Sequence, residues 1–214
     1  MRGKVARSFR ADLASGGADN QRCYNNIFFD GEMRWSDMFT SGSYDFTGWR
    51  RFFFGVTNLS VAVPVVKMDS ANDDFYQNGP YRVGISAGIL DQSAGKIRAK
   101  GRNYGFAVGA VNGEAGDNGS VRNHGELPAE YRLSGTAELD VGYVFVGAGS
   151  QKVTNHPRMV QDGGTATVGK GLYVGGDSDS ASPGFGEYII SNGTLAAGIA
   201  NQGSDHSTRG IALC

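Results

Sequence analysis

Residues 104–126, YGFAVGAVNGEAGDNGSVRNHGE, place two short apolar segments on either side of a turn rich in glycine and acidic residues. Phe106, Val108 and Val111 before the turn and Val121 after it supply apolar side chains for a packed face. The Asn-Gly and Asp-Asn-Gly steps between these segments tolerate positive φ angles. The stretch therefore predicts a strand, a turn and a second strand, and it directs the chain towards a β-rich fold.

Glycine divides the whole chain into short pieces: 34 of the 214 residues are glycine and 5 are proline. Glycine usage of about 7% is ordinary, and without a Gly-X-Y period the excess indicates many turns and not a collagen helix. A chain of this length can bury a core without cross-links, as one large β domain or two small ones. We predict an all-β fold with little helix: a β-sandwich, a tandem β arrangement, or short β-solenoid modules with long turns.

Composition divides the chain into three parts. Residues 1–20 predict a basic N-terminal arm, with a short helix over residues 8–14 as one conformation open to it. Residues 21–100 form an aromatic-rich β region, and residues 101–214 a glycine-rich β region. The arm predicts contact with an acidic neighbour, with a solvated terminus as the alternative. Its four cations are Arg2, Lys4, Arg7 and Arg10.

Eleven aromatic residues lie between residues 24 and 54, including both tryptophans, Trp35 and Trp49. Each such side chain buries a large area, so we expect them to anchor the core or a subunit interface. Stacking on sugars or bases, with arginines nearby, is the less favoured alternative. Beyond this segment, the apolar runs 56–67 and 81–90 predict strands, whereas the polar run 69–80 predicts a solvated loop.

In residues 96–102 a cation stands at every second position. In a strand, this period places all four cations on one face and Ile97 and Ala99 on the other. Such a face suits an acidic protein surface or a phosphate backbone. Alternatively, the cations protect an exposed edge strand from pairing with another edge. The four residues are Lys96, Arg98, Lys100 and Arg102.

A faint repeat runs through the glycine-rich region. A Gly-Thr pair recurs every 29 residues, and two copies are followed by related apolar segments, YVFVG at 143–147 and LYVGG at 172–176. This period predicts stacked β units, as in a solenoid or a tandem β arrangement. Chance recurrence of β-turn-β sequence is the alternative. The three pairs are Gly135-Thr136, Gly164-Thr165 and Gly193-Thr194.

Motifs for chemistry are missing from the sequence, so we predict no catalytic residue, no cofactor and no metal site. The three histidines have no zinc-site spacing, and no nucleophile elbow, Walker loop or dinucleotide fingerprint occurs. The remaining enzymatic hypothesis is a pair of carboxylates for glycoside hydrolysis in a β region. The candidate acids are Glu114, Asp117, Glu126, Glu130, Glu138 and Asp140.

Charge and cysteine content limit the partners. The formal net charge is -1, from 20 basic and 21 acidic residues, so no overall field favours nucleic acid or an anionic membrane. The sequence contains no apolar run long enough to span a bilayer and no evident export signal. Only Cys23 and Cys214 are present. A disulfide between them, a bridge between subunits and two free thiols all remain open.

Residues 104–128 resemble a recurring element of capsid decoration, or cement, proteins of tailed phages. The matching parts are Ala107–Ala110 for a small-residue strand end, Glu114–Asp117 for an acidic glycine turn, and Ser120–Gly125 for the strand that follows. The text NGTLAAGIANQG at 192–203 is similar to a second element of the same class.

This resemblance implies a non-enzymatic, β-rich structural protein of the virion surface that forms homo-oligomers, often trimers, and binds the major capsid protein. The basic arm and the cations of residues 96–102 would then contact an acidic capsid lattice. The Gly-Thr segments are also similar to β-solenoid repeats of bacterial surface and secreted proteins. That second similarity implies an extracellular or cell-surface adhesin that contacts carbohydrate.

Overall fold

The structure, a computed structural model, is almost entirely β, and the prediction of an all-β chain is confirmed. The helix among the described residues is one turn, and none of these residues forms a helix long enough to cross a membrane. The described residues are 8–12, 24–28, 32–38, 43–45, 51–55, 65–77, 83–85, 88–99, 105–109, 128–147, 157–175, 185–198 and 211–213.

In chain order the elements are β1 (Ser8–Asp12), β2 (Tyr24–Phe28), β3 (Glu32–Arg34), α1 (Trp35–Met38), β4 (Ser43–Asp45), β5 (Arg51–Gly55), β6 (Val65–Met68), β7 (Asp74–Gln77), β8 (Val83–Ile85), β9 (Gly88–Gln92), β10 (Lys96–Ala99), β11 (Phe106–Val108), β12 (Ala129–Val146), β13 (Arg158–Val174), β14 (Glu187–Ala197) and β15 (Ile211–Leu213).

The strands form one curled sheet that is parallel except for the antiparallel pair β1 and β2. The long strand β12 explains the curl, because it pairs with three different strands in succession. Its residues 129–133 lie beside β9, residues 138–141 beside β10, and residues 144–146 beside β11. We call these three directions the first, second and third arms of the sheet. The chain runs through all three arms in turn and then returns to the first. We call each such circuit a pass.

Each pass lies on the one before it. Strands β3, β4 and β5 pair with β6, β7 and β8. In the first and third arms, β6 and β8 pair with β9 and β11, and in the second arm β7 pairs with β10. Beyond β12, strand β13 follows all three arms, β14 continues the first two and β15 the third. Strands from both sides of residue 100 therefore belong to the same sheet.

The core lies inside the curl, where alternate residues of each strand stack from pass to pass. In the first arm, Leu90, Tyr131 and Met159 are neighbours in register and are fully buried. The Phe106 ring of the third arm lies 4.8 Å from the Tyr131 ring, measured between centroids. Burial of such apolar area contributes roughly 25 cal/mol per Å², so the interior of the curl is the main source of stability.

Glycine makes the corner between the first and second arms. Gly135, Gly164 and Gly193 have φ angles of 56°, 64° and 100°, which non-glycine residues rarely adopt. Backbone bonds join successive corners: the Glu138 amide donates to the Gly95 carbonyl at 2.9 Å. Gly-Thr dipeptides recur in the sequence because three passes make this turn with glycine.

The first Gly-Thr pair is out of register with the other two. Thr165 and Thr194 are partners in register, so the second and third Gly-Thr pairs lie on each other. Gly135 instead lies beside Gly163, and a register shift follows before Glu138. The first copy contains one extra corner residue, a bulge that the 29-residue spacing conceals.

Two local predictions were wrong. Residues 8–12 form strand β1 and not the start of a helix, because they pair with β2 along their whole length. Residues 74–77, predicted as part of a loop, form β7 between β4 and β10. The Phe75 side chain is buried there, so pairing and core packing outweigh the polar composition. The preceding residues 69–73 form the expected turn.

Residues 104–126, which predicted a strand, a turn and a second strand, are described in part. Its first predicted strand is present as β11, with Phe106 and Val108 buried in the core. Its turn and its second strand lie outside the described residues. Of the apolar runs, 56–67 contributes the beginning of β6, and 81–90 contributes β8 and the beginning of β9.

Candidate functional site

The outward side of the second arm carries a polar surface, and we call it the second-arm face. The strand register sets its side chains in two rows that cross the passes. One row is Asp74, Lys96, Glu138, Thr165 and Thr194. The other is Tyr76, Arg98, Asp140, Thr167 and Ala196.

A groove of about 370 Å³ opens on this face beside the corner. Carboxylates and hydroxyls dominate its rim, and glycines leave room for a ligand to approach the backbone. Its lining residues include Thr136, Glu138, Asp140, Gly164, Thr165 and Thr167.

The two described cations of residues 96–102 lie on the same side of β10, as the alternation predicts. Lys96 is exposed and Arg98 is partly exposed, whereas Ile97 and Ala99 are buried, as period-two alternation requires. Both cations already have carboxylate partners on neighbouring strands. The Lys96 Nζ lies 3.0 Å from Glu138 Oε2. Such exposed pairs are screened by solvent and contribute little stability.

Arg98 is held by two neighbours in the adjacent strand. Its Nε donates to Asp74 Oδ1 at 3.1 Å, and its Nη2 donates to Asp74 Oδ2. Its guanidinium also lies 4.7 Å from the centroid of the Tyr76 ring. The hydrogen bonds from Arg98 to Asp74 raise the pKa of Arg98 above its ordinary value. Arg98 is therefore a fixed cation next to an aromatic surface.

The outward side of the first arm holds a buried carboxylate between two arginines. Glu130 is 4% exposed, and its carboxylate accepts hydrogen bonds from Arg132 on its own strand and Arg158 on the next. Burial alone would raise the pKa of Glu130, but the two arginines outweigh burial and lower it. Of the carboxylates proposed for glycoside hydrolysis, this one stays charged and fixed in an ion triad.

We predict that Glu130→Gln lowers the free energy of unfolding at pH 7 by about 1 to 2 kcal/mol, since two charge-assisted hydrogen bonds weaken. The folded pKa of Glu130 is depressed, so its contribution is present above the unfolded pKa of about 4.3 and is lost as the pH falls through the lower folded value. Urea unfolding should show a smaller difference in the free energy of unfolding between the variant and wild type at pH 3 than at pH 7. An equal deficit at both pH values would contradict this assignment.

Inside the corner, two glutamines form a repeated polar contact. The Tyr131 hydroxyl donates to Gln92 Oε1 at 2.6 Å, and Gln92 Nε2 donates to the carbonyls of Gly95 and Glu138 at 3.0 and 3.2 Å. Gln161 does the same two passes later, accepting from the Tyr188 hydroxyl and donating to the Thr194 carbonyl at 3.0 Å. Burial raises the pKa of both tyrosines, which keeps their hydroxyls protonated as donors.

This contact was not predicted from the sequence, although a signal exists. Both glutamines stand three residues before a corner glycine, Gln92 before Gly95 and Gln161 before Gly164. This Gln-x-x-Gly spacing marks the side chain that turns inward to satisfy the corner carbonyls. It is a structural feature of the corner and leaves the outer face for ligands.

In the third arm, the parts of β11, β12 and β13 that lie there are buried on both sides. Phe145 and Tyr173 project outward, yet both are almost fully buried, and with Ala107 they form a second apolar cluster. Their rings stack, with centroids 5.1 Å apart and planes 7° apart. Strands covered on both faces read as continuous apolar runs, which explains the YVFV and LYVG segments.

The three aspartates of residues 69–74 have separate roles. Asp69 pairs with Arg34 at 3.1 Å, and Asp74 binds Arg98. Asp73 is buried, and its Oδ2 accepts a hydrogen bond from the Ser70 amide at 3.0 Å. Burial raises the pKa of Asp73. In the part of the chain that the structure describes, no group of three or more His, Cys, Asp or Glu side chains is placed to hold a metal ion.

The remaining predicted contact residues fall in two groups. Trp35 is fully buried and packs edge-on against Phe75 at 5.5 Å between centroids, so it contributes to the core. Arg10 lies in β1, of which the backbone alone is described. The others lie outside the described residues: Arg2, Lys4, Arg7, Trp49, Lys100, Arg102 and both cysteines, Cys23 and Cys214.

The fold and the surface thus define a chain of stacked parallel strands with a polar groove beside one corner. No protein-family model, curated protein or solved structure matches this chain.

Proposed function

We propose that the curled sheet is a short β-solenoid and that the protein is a non-enzymatic structural protein that works by surface contact. The observation that carries this proposal is the pass-on-pass register, in which strands of all three arms pair with their equivalents one pass later. Each pass buries its apolar face only against its neighbours, as in solenoid proteins. Such a stack presents long, regular outer faces, which suit repeated contacts with a lattice or a polymer.

The ion pairs of the charged side chains support a role in surface contact and not in catalysis. Glu130 is bound by two arginines, Glu138 pairs with Lys96, and Asp74 binds Arg98. Carboxylates for glycoside hydrolysis need a proton donor of raised pKa beside an ionised partner. The pKa of Glu130 is lowered instead. These groups serve to order the outer faces.

We place this protein on the outside of a virion, with a major capsid protein and further copies of itself as partners. The resemblance of residues 104–128 and 192–203 to phage decoration proteins is the basis for this location. The structure adds support through β14, which contains residues 192–197 and has large apolar side chains exposed to solvent. Exposed apolar surface of this kind is typical of a protein that assembles.

The groove on the second-arm face favours a second candidate, a surface adhesin that contacts carbohydrate. Glu138, Asp140, Thr165 and Thr167 line it together. Their oxygens can accept hydrogen bonds from sugar hydroxyls, and the threonine hydroxyls can also donate. The Tyr76 ring on the same face offers an aromatic surface two passes away.

Gold-labelled antibodies against the recombinant chain test the proposed location. Virions, intact cells and thin sections of cells from the source culture are labelled in parallel. Label on virions is the expected result, and label confined to the cell interior would contradict any surface role. Label on cells alone would favour the adhesin, which a glycan array then tests. In that case Thr165→Val/Thr167→Val should lose glycan binding, and Thr194→Val, whose hydroxyl lies outside the groove lining, serves as the matched control.

A further inference from the structure

Strand β14 ends the stack of the first two arms with an open edge. It pairs with β13 along one side, and none of the described residues pairs with its other side. An unpaired strand edge presents backbone donors and acceptors to any strand that can reach it. Natural proteins restrict such edges with charges or proline, but β14, EYIISNGTLAA, has one charged residue, Glu187, and no proline.

The inward side of β14 also lacks a covering strand among the described residues. Tyr188, Ile190, Leu195 and Ala197 lie in register with the buried residues Met159, Gln161, Ala166 and Val168 of β13. Ile190 is nevertheless 47% exposed, because it stands at a core position that no further pass covers among the described residues. Ile189 on the outward side is 45% exposed. A further strand placed on this edge would bury all of these side chains.

We infer that the strand that covers this edge is β14 of a second copy, related by a two-fold axis through the corner between Asn192 and Gly193. A two-fold axis reverses chain direction, so the two strands would pair antiparallel. The axis exchanges the first and second arms. The first-arm half of β14 in one copy therefore pairs with the second-arm half of β14 in the other copy. This inference rests on the proposed homo-oligomer and specifies its interface.

The sequence of β14 is self-complementary in this register. Inward residues meet inward residues, outward residues meet outward residues, and two of the four pairs set a large side chain against alanine. A shift of one residue would oppose inward and outward side chains throughout, which sheet pairing disfavours. The four opposed pairs are Tyr188 with Ala197, Ile189 with Ala196, Ile190 with Leu195, and Ser191 with Thr194.

Charge favours this arrangement over a head-to-tail stack. Following the first-arm register from pass to pass, Glu187 continues the row that contains Arg158, Glu130, Ile89, Val65 and, at the start, Glu32. A second copy stacked head to tail in the same register would set its Glu32 beside Glu187. Like charges directly opposite each other destabilise a strand pair. In the two-fold arrangement Glu187 meets Gly198, and no like charges are opposed.

Cross-linking tests the register directly. In a Cys23→Ser/Cys214→Ser background, Ile189→Cys and Ala196→Cys are made as separate proteins. Under mild oxidation each alone should stay uncross-linked, and an equal mixture should give disulfide dimers, since residue 189 of one copy faces residue 196 of the other. A mixture without dimers, or single variants that cross-link as well as the mixture, would overturn the inference.

Light scattering tests the interface energy on the full chain, whose mass is 22.6 kDa. Wild type should show twice that mass, and Ile190→Lys should raise the dimer dissociation constant at least about tenfold by placing a charge in the contact. Thr167→Lys, on the outer face of β13, is the control and should remain dimeric. A wild-type monomer, or a trimer that Ile190→Lys leaves intact, would overturn this interface. The trimer would leave the proposed homo-oligomeric function standing.

Discussion

Replacing Gln92 with leucine will lower the free energy of unfolding by about 3 kcal/mol, because it removes hydrogen-bond partners from buried polar groups. The Tyr131 hydroxyl, fully buried, loses its acceptor, and the Gly95 and Glu138 carbonyls lose a donor. The shape of leucine is tolerated at this site, since Leu133 occupies the equivalent position one pass later. The loss therefore reports hydrogen bonding and not a steric clash. Urea unfolding monitored by circular dichroism measures it.

Gln161→Leu is the matched control for this experiment. It removes the same contacts two passes later, but Tyr188 is only partly buried and its hydroxyl can turn to water. We expect a loss of about half that of Gln92→Leu. If both variants are as stable as wild type, the glutamines do not stabilise the corners.

Replacing Gly147 with alanine should cost at least about 3 kcal/mol, through backbone strain and overpacking together. Gly147 has a φ angle of 71°, and its amide donates to the Val108 carbonyl at 2.9 Å. A Cβ atom there would lie 1.7 Å from the Phe185 carbonyl oxygen. Because that neighbour is backbone, the clash can be relieved only by moving the main chain just before β14.

Gly169→Ala provides the comparison on the next pass. The nearest atom to a Cβ at Gly169 is the Val141 carbonyl oxygen at 3.8 Å, an ordinary contact, and this glycine is exposed. We expect a change within about 0.5 kcal/mol, with a small gain available from reduced freedom of the unfolded chain. Thermal and urea unfolding of both variants give the difference. Equal stability of the two variants would show that the main chain around Gly147 can move at little cost in free energy.

The sequence predicted the β character and many glycine turns because both depend on local chemistry. Glycine is the residue expected where the backbone is left-handed, so its positions indicate turns. The Gly-Thr repeat marked two turns that stack at Thr165 and Thr194. The alternation of Lys96, Ile97, Arg98 and Ala99 likewise predicted which side chains face out. These features concern a few neighbouring residues, and a strand period of two fixes them.

Strand direction and the charge contacts depended on distant residues and were not predictable. The same glycine turns serve an antiparallel hairpin or a corner between arms, so the turn chemistry left a sandwich and a solenoid equally open. The partner of Arg98 is Asp74, 24 residues away, and Tyr131 reaches Gln92 across 39 residues. The polar strand β7 was mistaken for a loop because its stability comes from β4 and β10 on either side.

The register of the stacked passes is the claim on which the fold, the outer faces and the proposed interface all depend. In the Cys23→Ser/Cys214→Ser background, Thr165→Cys/Thr194→Cys places two thiols on residues that are direct partners of adjacent parallel strands. Neighbouring strands lie about 4.8 Å apart, which a disulfide can span. Thr167→Cys/Thr194→Cys is the control, because the partner of Thr167 is Ala196.

The decisive measurement is the yield of intramolecular disulfide in these two variants, determined by mass spectrometry of peptides from the oxidised monomer. The stacked register predicts a disulfide between positions 165 and 194 in high yield, and little or no bridge in the control. Failure of the first variant to form the bridge, or equal yields in both, would contradict the stack.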